Sequence, residues 1–151
     1  RVWNYQELAH QLGMSVAETH NAVKRARKAG LLPSGELSGA PNPMALKEFL
    51  VHGAKYAFPA ELGQVTRGIP TAYAASPLKD QLQLSGDLPP VWPHKDGTEV
   101  GTSVEPLYKS APEAALWDPK LYEFLALFDA LRLGRARERQ MAVQMIEERL
   151  K

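Results

Sequence analysis

Trp3-Asn4-Tyr5-Gln6-Glu7-Leu8-Ala9-His10-Gln11-Leu12-Gly13-Met14-Ser15-Val16-Ala17-Glu18-Thr19-His20-Asn21-Ala22-Val23-Lys24-Arg25-Ala26-Arg27-Lys28-Ala29-Gly30-Leu31-Leu32 is the stretch on which the reading of this chain turns. Tyr5, Leu8, Ala9 and Leu12 recur at i, i+3, i+4 and i+7, which is one face of a helix. Asn4 stands where an N-cap belongs, and Gly13 where a left-handed residue ends the helix. Ser15 opens a second helix, and Ser15 with Glu18 has the spacing of a capping box. Thr19, Ala22, Val23 and Ala26 form its inward stripe. Ala29-Gly30 closes it before Leu31-Leu32-Pro33. Two short helices joined by a tight turn make a helix-turn-helix, whose second helix reads the major groove in DNA-binding proteins.

With Thr19, Val23 and Ala26 inward, the outward set is Ala17, Glu18, His20, Asn21, Lys24, Arg25, Arg27 and Lys28. The first four sit at the start of the helix, where such helices touch base edges. Asn21 suits a two-bond contact to adenine, and Ala17 a thymine methyl. Ser15 belongs to the same turn, and Glu18 has a competing task in its own capping box. Lys24, Arg25, Arg27 and Lys28 suit phosphate contacts, which supply affinity without sequence information. The chain as a whole holds 18 Lys and Arg against 17 Asp and Glu. The concentration of four basic residues against one acid on this helix is therefore local. An amphipathic hairpin with a solvated basic face has the same composition, and the spacing favours the nucleic-acid reading.

The stretch resembles the winged helix-turn-helix regulators of bacteria, such as the MarR-like families. There a segment like Y-x-E-L-A-x-x-L-G is followed by S-x-x-x-V-x-x-x-L-x-x-L-x-x-x-G-L. Thr19, Val23 and Ala26 take the inward positions, and Gly30-Leu31-Leu32 the turn into the first wing strand. The resemblance covers about a fifth of the chain. It implies sequence-specific binding of double-stranded DNA, transcription regulation, a homodimer on a palindromic site and a cytoplasmic location. A small-molecule effector is left open. Such folds open with a further helix ahead of the first strand, but only Arg1 and Val2 precede Trp3 here. The expectation is that this helix is trimmed away or that the C-terminal helix packs in its place against Leu8 and Val23.

The remaining chain reads as follows. Residues 33 to 42 are a Pro-, Gly- and Ser-rich loop. Asn42-Pro43 starts a third helix with Leu46, Phe49 and Leu50 inward, ending at Gly53. Lys55-Tyr56-Ala57-Phe58 and Thr71-Ala72-Tyr73-Ala74 read as strands of a long hairpin that serves as the wing, with Arg67 at its tip able to reach a minor groove. Residues 75 to 112 are expected to be irregular with one short strand. Asp118-Pro119 starts a broadly apolar helix with Leu121, Phe124, Leu125, Phe128 and Leu131, broken at Gly134. A last helix places Ala142, Val143, Ile146 and Leu150 on one face. The expected fold class is α+β: a winged helix-turn-helix over residues 1–74, an irregular connecting segment over 75–112, and a C-terminal helical unit over 113–151 that either dimerises or closes the monomer core.

Other chemistries have little to stand on. No cysteine is present, which removes disulfides, thiol catalysis and cysteine-bound zinc. His10, His20, His52 and His94 lack the spacing of metal ligands. No P-loop, G-x-G-x-x-G or G-x-S-x-G occurs. The expectation is therefore no enzyme, no cofactor and no metal. His94 and Asp96 could mimic part of a catalytic set but have no nucleophile in a recognised context. Trp92, Tyr108 and Trp117 either line an effector pocket or anchor the irregular segment. Arg132, Arg135, Arg137 and Arg139 are expected to pair with Asp129, Glu138 and Glu147 at the surface rather than bind phosphate. No apolar run approaches the roughly 18 residues of a membrane span. The runner-up functions are a protein-interaction module, antitoxin-like or a defence accessory, and RNA binding by the same basic face.

Overall fold

A computed structural model of the chain describes residues 3–33, 40–82 and 86–151. The fold is α+β. Helices α1 (Tyr5–Leu12) and α2 (Val16–Lys28) are followed by α3 (Pro43–Glu48), a π-helical turn (Phe49–Gly53) and α4 (Ala54–Ala57). Strand β1 (Leu62–Pro70), two 3-10 turns (Ala72–Ala74 and Leu78–Gln81), β2 (Pro90–Pro93) and β3 (Glu99–Val104) come next. Helices α5 (Ala111–Trp117), α6 (Pro119–Leu133) and α7 (Ala136–Arg149) complete the chain. No helix among the described residues is long and apolar enough to cross a membrane.

α6 is the centre of the molecule. Asp118 caps it by accepting from the Lys120 and Leu121 N–H groups, and Pro119 occupies its first turn. Every residue from Leu125 to Leu131 is buried, as its broad apolar circumference predicts. On one side Leu125 joins Ile69, Trp92, Ala111 and Ala115. On the other, Leu127, Ala130 and Leu131 pack with Ala72, Leu78, Ala142 and Ile146. The apolar faces of α6 are thus spent inside the chain.

The three strands pair all round. β1 runs antiparallel to both β2 and β3, with Ile69 opposite Trp92 and Arg67 opposite Val100. β2 and β3 are parallel to each other. This closure forces backbones together at Gly68, where a Cβ would lie 2.1 Å from the Trp92 carbonyl oxygen. No side chain fits there, so glycine is required by space.

A buried polar knot ties these layers. Asp129, 1 % exposed on α6, accepts from the Thr71 hydroxyl at 2.6 Å and the Trp92 indole N–H at 2.8 Å through one oxygen. Its other oxygen takes the Nε and Nη2 groups of Arg132. Arg132 in turn donates to the carbonyls of Phe58 and Glu105, 3.2 and 3.1 Å away. Both carboxylate oxygens are therefore satisfied, which a buried charge demands.

Several expectations change. Lys55-Tyr56-Ala57 is helical and Ala72-Tyr73-Ala74 is a 3-10 turn, so the Lys55–Tyr73 hairpin is replaced by β1 paired with β2 and β3. Gly53 does not stop the helix. It sits at φ −110° with the Phe49 ring 3.1 Å from where its Cβ would be, and the widened π turn carries the helix past it. Thr71, still extended at φ −138°, turns its hydroxyl inward to Asp129, and the extended run ends at Ala72, where φ is +54°. The segment from 75 to 112 supplies two strands rather than one. The expected loop at 33–42 lies mostly outside the described residues. α7 packs on α6 and on the Leu78–Gln81 turn, while α1 is met by α5, so the expected packing of the C-terminal helix against Leu8 and Val23 is replaced by packing on α6. Trp92 is buried and Trp117 is 83 % exposed, so these two do not share a pocket. Arg132 pairs with Asp129 as expected, but in the interior rather than at the surface.

Removing Asp129 leaves the Thr71 hydroxyl and the Trp92 indole without their acceptor and the Arg132 charge without its carboxylate in the interior. Asp129→Ala is expected to cost about 3–5 kcal/mol, read as a lower midpoint in urea unfolding followed by tryptophan fluorescence. The Tyr122 hydroxyl donates to the Pro70 carbonyl at 2.6 Å, and burial pushes the phenol up to about 12 from 10.0. A folded-state pKa above the unfolded one gives stability that is full below pH 10 and lost as pH rises through about 12. Alkaline unfolding curves should show that fall, with a shallower slope in Tyr122→Phe. Tyr73 and Tyr108, also raised by burial, keep the remainder.

Candidate nucleic-acid interface

α1 and α2 are built as the capping residues dictate. The Asn4 side chain accepts from the Glu7 N–H at 2.7 Å, and Ser15 Oγ from the Glu18 N–H at 3.0 Å. Gly13 lies at φ +68°, the left-handed region, and its N–H returns to Ala9 and His10. Ala9 of α1 and Thr19 and Val23 of α2 are buried. The Thr19 hydroxyl is satisfied by the Ser15 carbonyl at 2.9 Å.

That inward stripe turns the opposite face of α2 to solvent. Ala17, Glu18, His20, Asn21, Lys24, Arg25 and Lys28 are exposed. None of Lys24, Arg25 and Lys28 forms an ion pair with another described residue. Ser15 borders this face, with its oxygen engaged as the cap. The Glu18 carboxylate makes no hydrogen bond among the described residues, so the capping box closes on one side only. Arg25, Arg27 and Lys28 lie in the last turn, where cations also favour the helix dipole. Part of the basic excess therefore serves the helix itself.

Two of the expected contact residues are engaged by Tyr5. Arg27 is half-buried, and its Nη1 donates to the Tyr5 hydroxyl at 3.2 Å. Its Nε is buried without an acceptor. This withdraws Arg27 from the solvent face and leaves it to act through its charge. The His20 ring lies over the Tyr5 ring with centroids 4.5 Å apart, and Trp3 meets Tyr5 edge-on at 5.7 Å. Tyr5 thus fixes the start of α1 against both ends of α2.

Arg67 stands apart from this group. It lies within β1, exposed, and its Nη1 donates to the Gly97 carbonyl at 3.4 Å. It is on a strand rather than at a hairpin tip. His94 is occupied as well: Nδ1 accepts from the Asp96 N–H at 3.1 Å, and Nε2 lies 2.7 Å from Glu113. Nδ1 as acceptor places the neutral ring's proton on Nε2, where it donates to Glu113. The sequence reading passed over Val16, a 47 % exposed apolar residue in the first turn of α2 beside Ala17. Val16 has the i, i+3 and i+7 spacing of the inward stripe with Thr19 and Val23, so periodicity points it inward and its exposure shows only in the structure.

The helix pair is attached to the body at its turn. The Ser110 hydroxyl, ahead of α5, donates to the Leu12 carbonyl at 2.8 Å, and a Cβ on Gly13 would meet Ser110 Cβ at 3.1 Å. Gly13 is therefore needed for both its dihedral and its closeness. Gly13→Ala should cost about 1–2 kcal/mol from the left-handed backbone alone, seen as a lowered thermal midpoint. Comparison with protein-family models, with curated proteins and with solved structures finds no match to this chain.

Proposed function

We propose that the chain binds double-stranded DNA through the outer face of α2 and acts as a sequence-specific transcription regulator. The observation that carries this reading is a capped second helix of a helix-turn-helix whose exposed face holds Lys24, Arg25 and Lys28 free of carboxylates, with Asn21 and Ala17 nearer its start. In this arrangement Asn21, Ala17 and Val16 face base edges, His20 offers only the ring edge that its stacking on Tyr5 leaves exposed, and the three cations track phosphates. Arg27 contributes field rather than a direct contact, because Tyr5 holds it. β1 and β3 form the longest strand pairing of the fold and carry Arg67 outward, so they are the strands that would fill the place of a wing. A two-fold dimer follows from the demand of palindromic half-sites.

The test is binding to a random duplex pool with enrichment sequencing at two salt concentrations. Enrichment of a palindrome supports the reading. Little binding even at low salt would sink it and favour a protein-interaction role, and preference for single-stranded RNA would redirect it to that ligand. Lys24→Ala and Arg25→Ala should weaken all duplexes alike and reduce the salt slope by about one each. Asn21→Ala should relax specificity at one base position at a cost of about 1–3 kcal/mol. Unchanged binding in all three variants would mean that α2 is not the reader.

A further inference from the structure

A second basic site lies away from α2. One stripe of α7, Ala136, Arg139, Gln140 and Val143, faces a stripe of the π turn and α4, Val51, His52, Lys55 and Tyr56, across a groove of about 440 Å³. That volume is within the range of small-molecule sites. His52, Lys55, Tyr56 and Arg139 are its titratable groups, and no carboxylate among the described residues lines it. The nearest acids are spoken for or lie outside it. Glu147 pairs with Lys47 at 3.1 Å, Glu138 lines the neighbouring cavity beside Arg137, and Glu48 borders an adjoining depression that shares Val51 and His52 with the groove. In a chain with 18 Lys and Arg against 17 Asp and Glu, such a lining is a local feature.

Arg139 is held ready there. Its Nε donates to the Leu131 carbonyl at 3.0 Å and its Nη2 to the Val51 carbonyl at 3.5 Å. Two backbone acceptors fix the guanidinium and leave its other N–H groups without a carboxylate. A planar donor fixed in this way matches a phosphate oxygen pair. Val51, which supplies one of the acceptors, lies in the π turn; such turns recur at functional sites. Beside it the Lys55 ammonium lies 5.0 Å over one face of the Tyr56 ring, and Tyr56 is 75 % exposed. A cation next to an open aromatic face suits an anion carrying a flat ring.

We propose that this groove binds a phosphate monoester of mononucleotide size, its phosphate on Arg139 and Lys55 and its base against Tyr56. The inference is independent of DNA binding by α2, since it concerns other residues and is read without DNA. Titration calorimetry of the full chain with AMP and with inorganic phosphate at low salt tests it. AMP should bind more tightly than phosphate, and both should weaken as salt rises. Lys55→Ala should weaken both by about tenfold, the loss of one charged contact. Tyr56→Ala should weaken AMP alone. Both side chains reach solvent, so circular dichroism should show the fold intact; Arg139→Lys, which keeps the charge but loses the planar fork, should also weaken both ligands. Failure of AMP to bind at millimolar concentration overturns the proposal, as does binding unaffected by Lys55→Ala and Tyr56→Ala. A groove that takes up duplex DNA in Lys24→Ala and Arg25→Ala protein, but not AMP, overturns it too.

Discussion

The carboxylate of Asp129 is the constraint around which the body of this protein is arranged. It draws Thr71 from the end of β1, Trp92 from β2 and Arg132 from its own helix to one point. Through Arg132 the same point reaches the carbonyls after α4 and β3. Apolar packing alone tolerates small shifts of α6 against the sheet. A buried charge with several directional partners does not, because each displaced donor loses its bond in a medium without water. The apolar layers on either side of α6 supply the drive to collapse, and the Asp129 knot selects one alignment among those that collapse permits.

The helix pair at the N-terminus obeys a different logic. Its stability is local, from two side-chain caps, one left-handed glycine and a small apolar seam. Its link to the body is narrow: the Ser110 hydroxyl on Leu12 and the close approach at Gly13. Residues that would read a duplex therefore sit on a short rigid unit set off from the structural centre. The basic groove between the π turn and α7 is integral to the body instead. Its arginine is fixed by carbonyls of α6 and of the π turn, so a ligand there would touch the packing of α7 on α6 directly.

The parts of this fold legible in the sequence were those specified by short-range chemistry. Asn4, Gly13, Ser15 and Asp118 each act within three or four residues, and all four behave as their types dictate. The seven-residue buried run of α6 was legible from its composition. Strand β1 was not. Leu62-Gly63-Gln64-Val65-Thr66-Arg67-Gly68-Ile69-Pro70 carries the glycines and proline of a loop, yet Gly68 is there because two backbones touch. That reason is visible only once β2 is in place. Lys55-Tyr56-Ala57-Phe58 alternates like a strand, but the helix before it runs on through Gly53, and Phe58 closes a ring cluster with Phe49 and Phe128. Thr71 reads as a strand residue until its acid appears 58 positions later. For the candidate interface, the outward face of α2 was readable from periodicity. The capture of Arg27 and His20 by Tyr5 was not, because it depends on the angle between two helices.

The order of partners along the chain bears on how the molecule is made. On a ribosome, α1 and α2 emerge ahead of the strands and α6 and need nothing later to complete their caps. Thr71 and Trp92 emerge 58 and 37 residues ahead of Asp129, and until α6 is out their polar groups have only water to bond. The sheet therefore gains its buried acid only once α6 has emerged. The helix pair can take up its shape as a nascent segment, whereas the alignment of the body waits for α6.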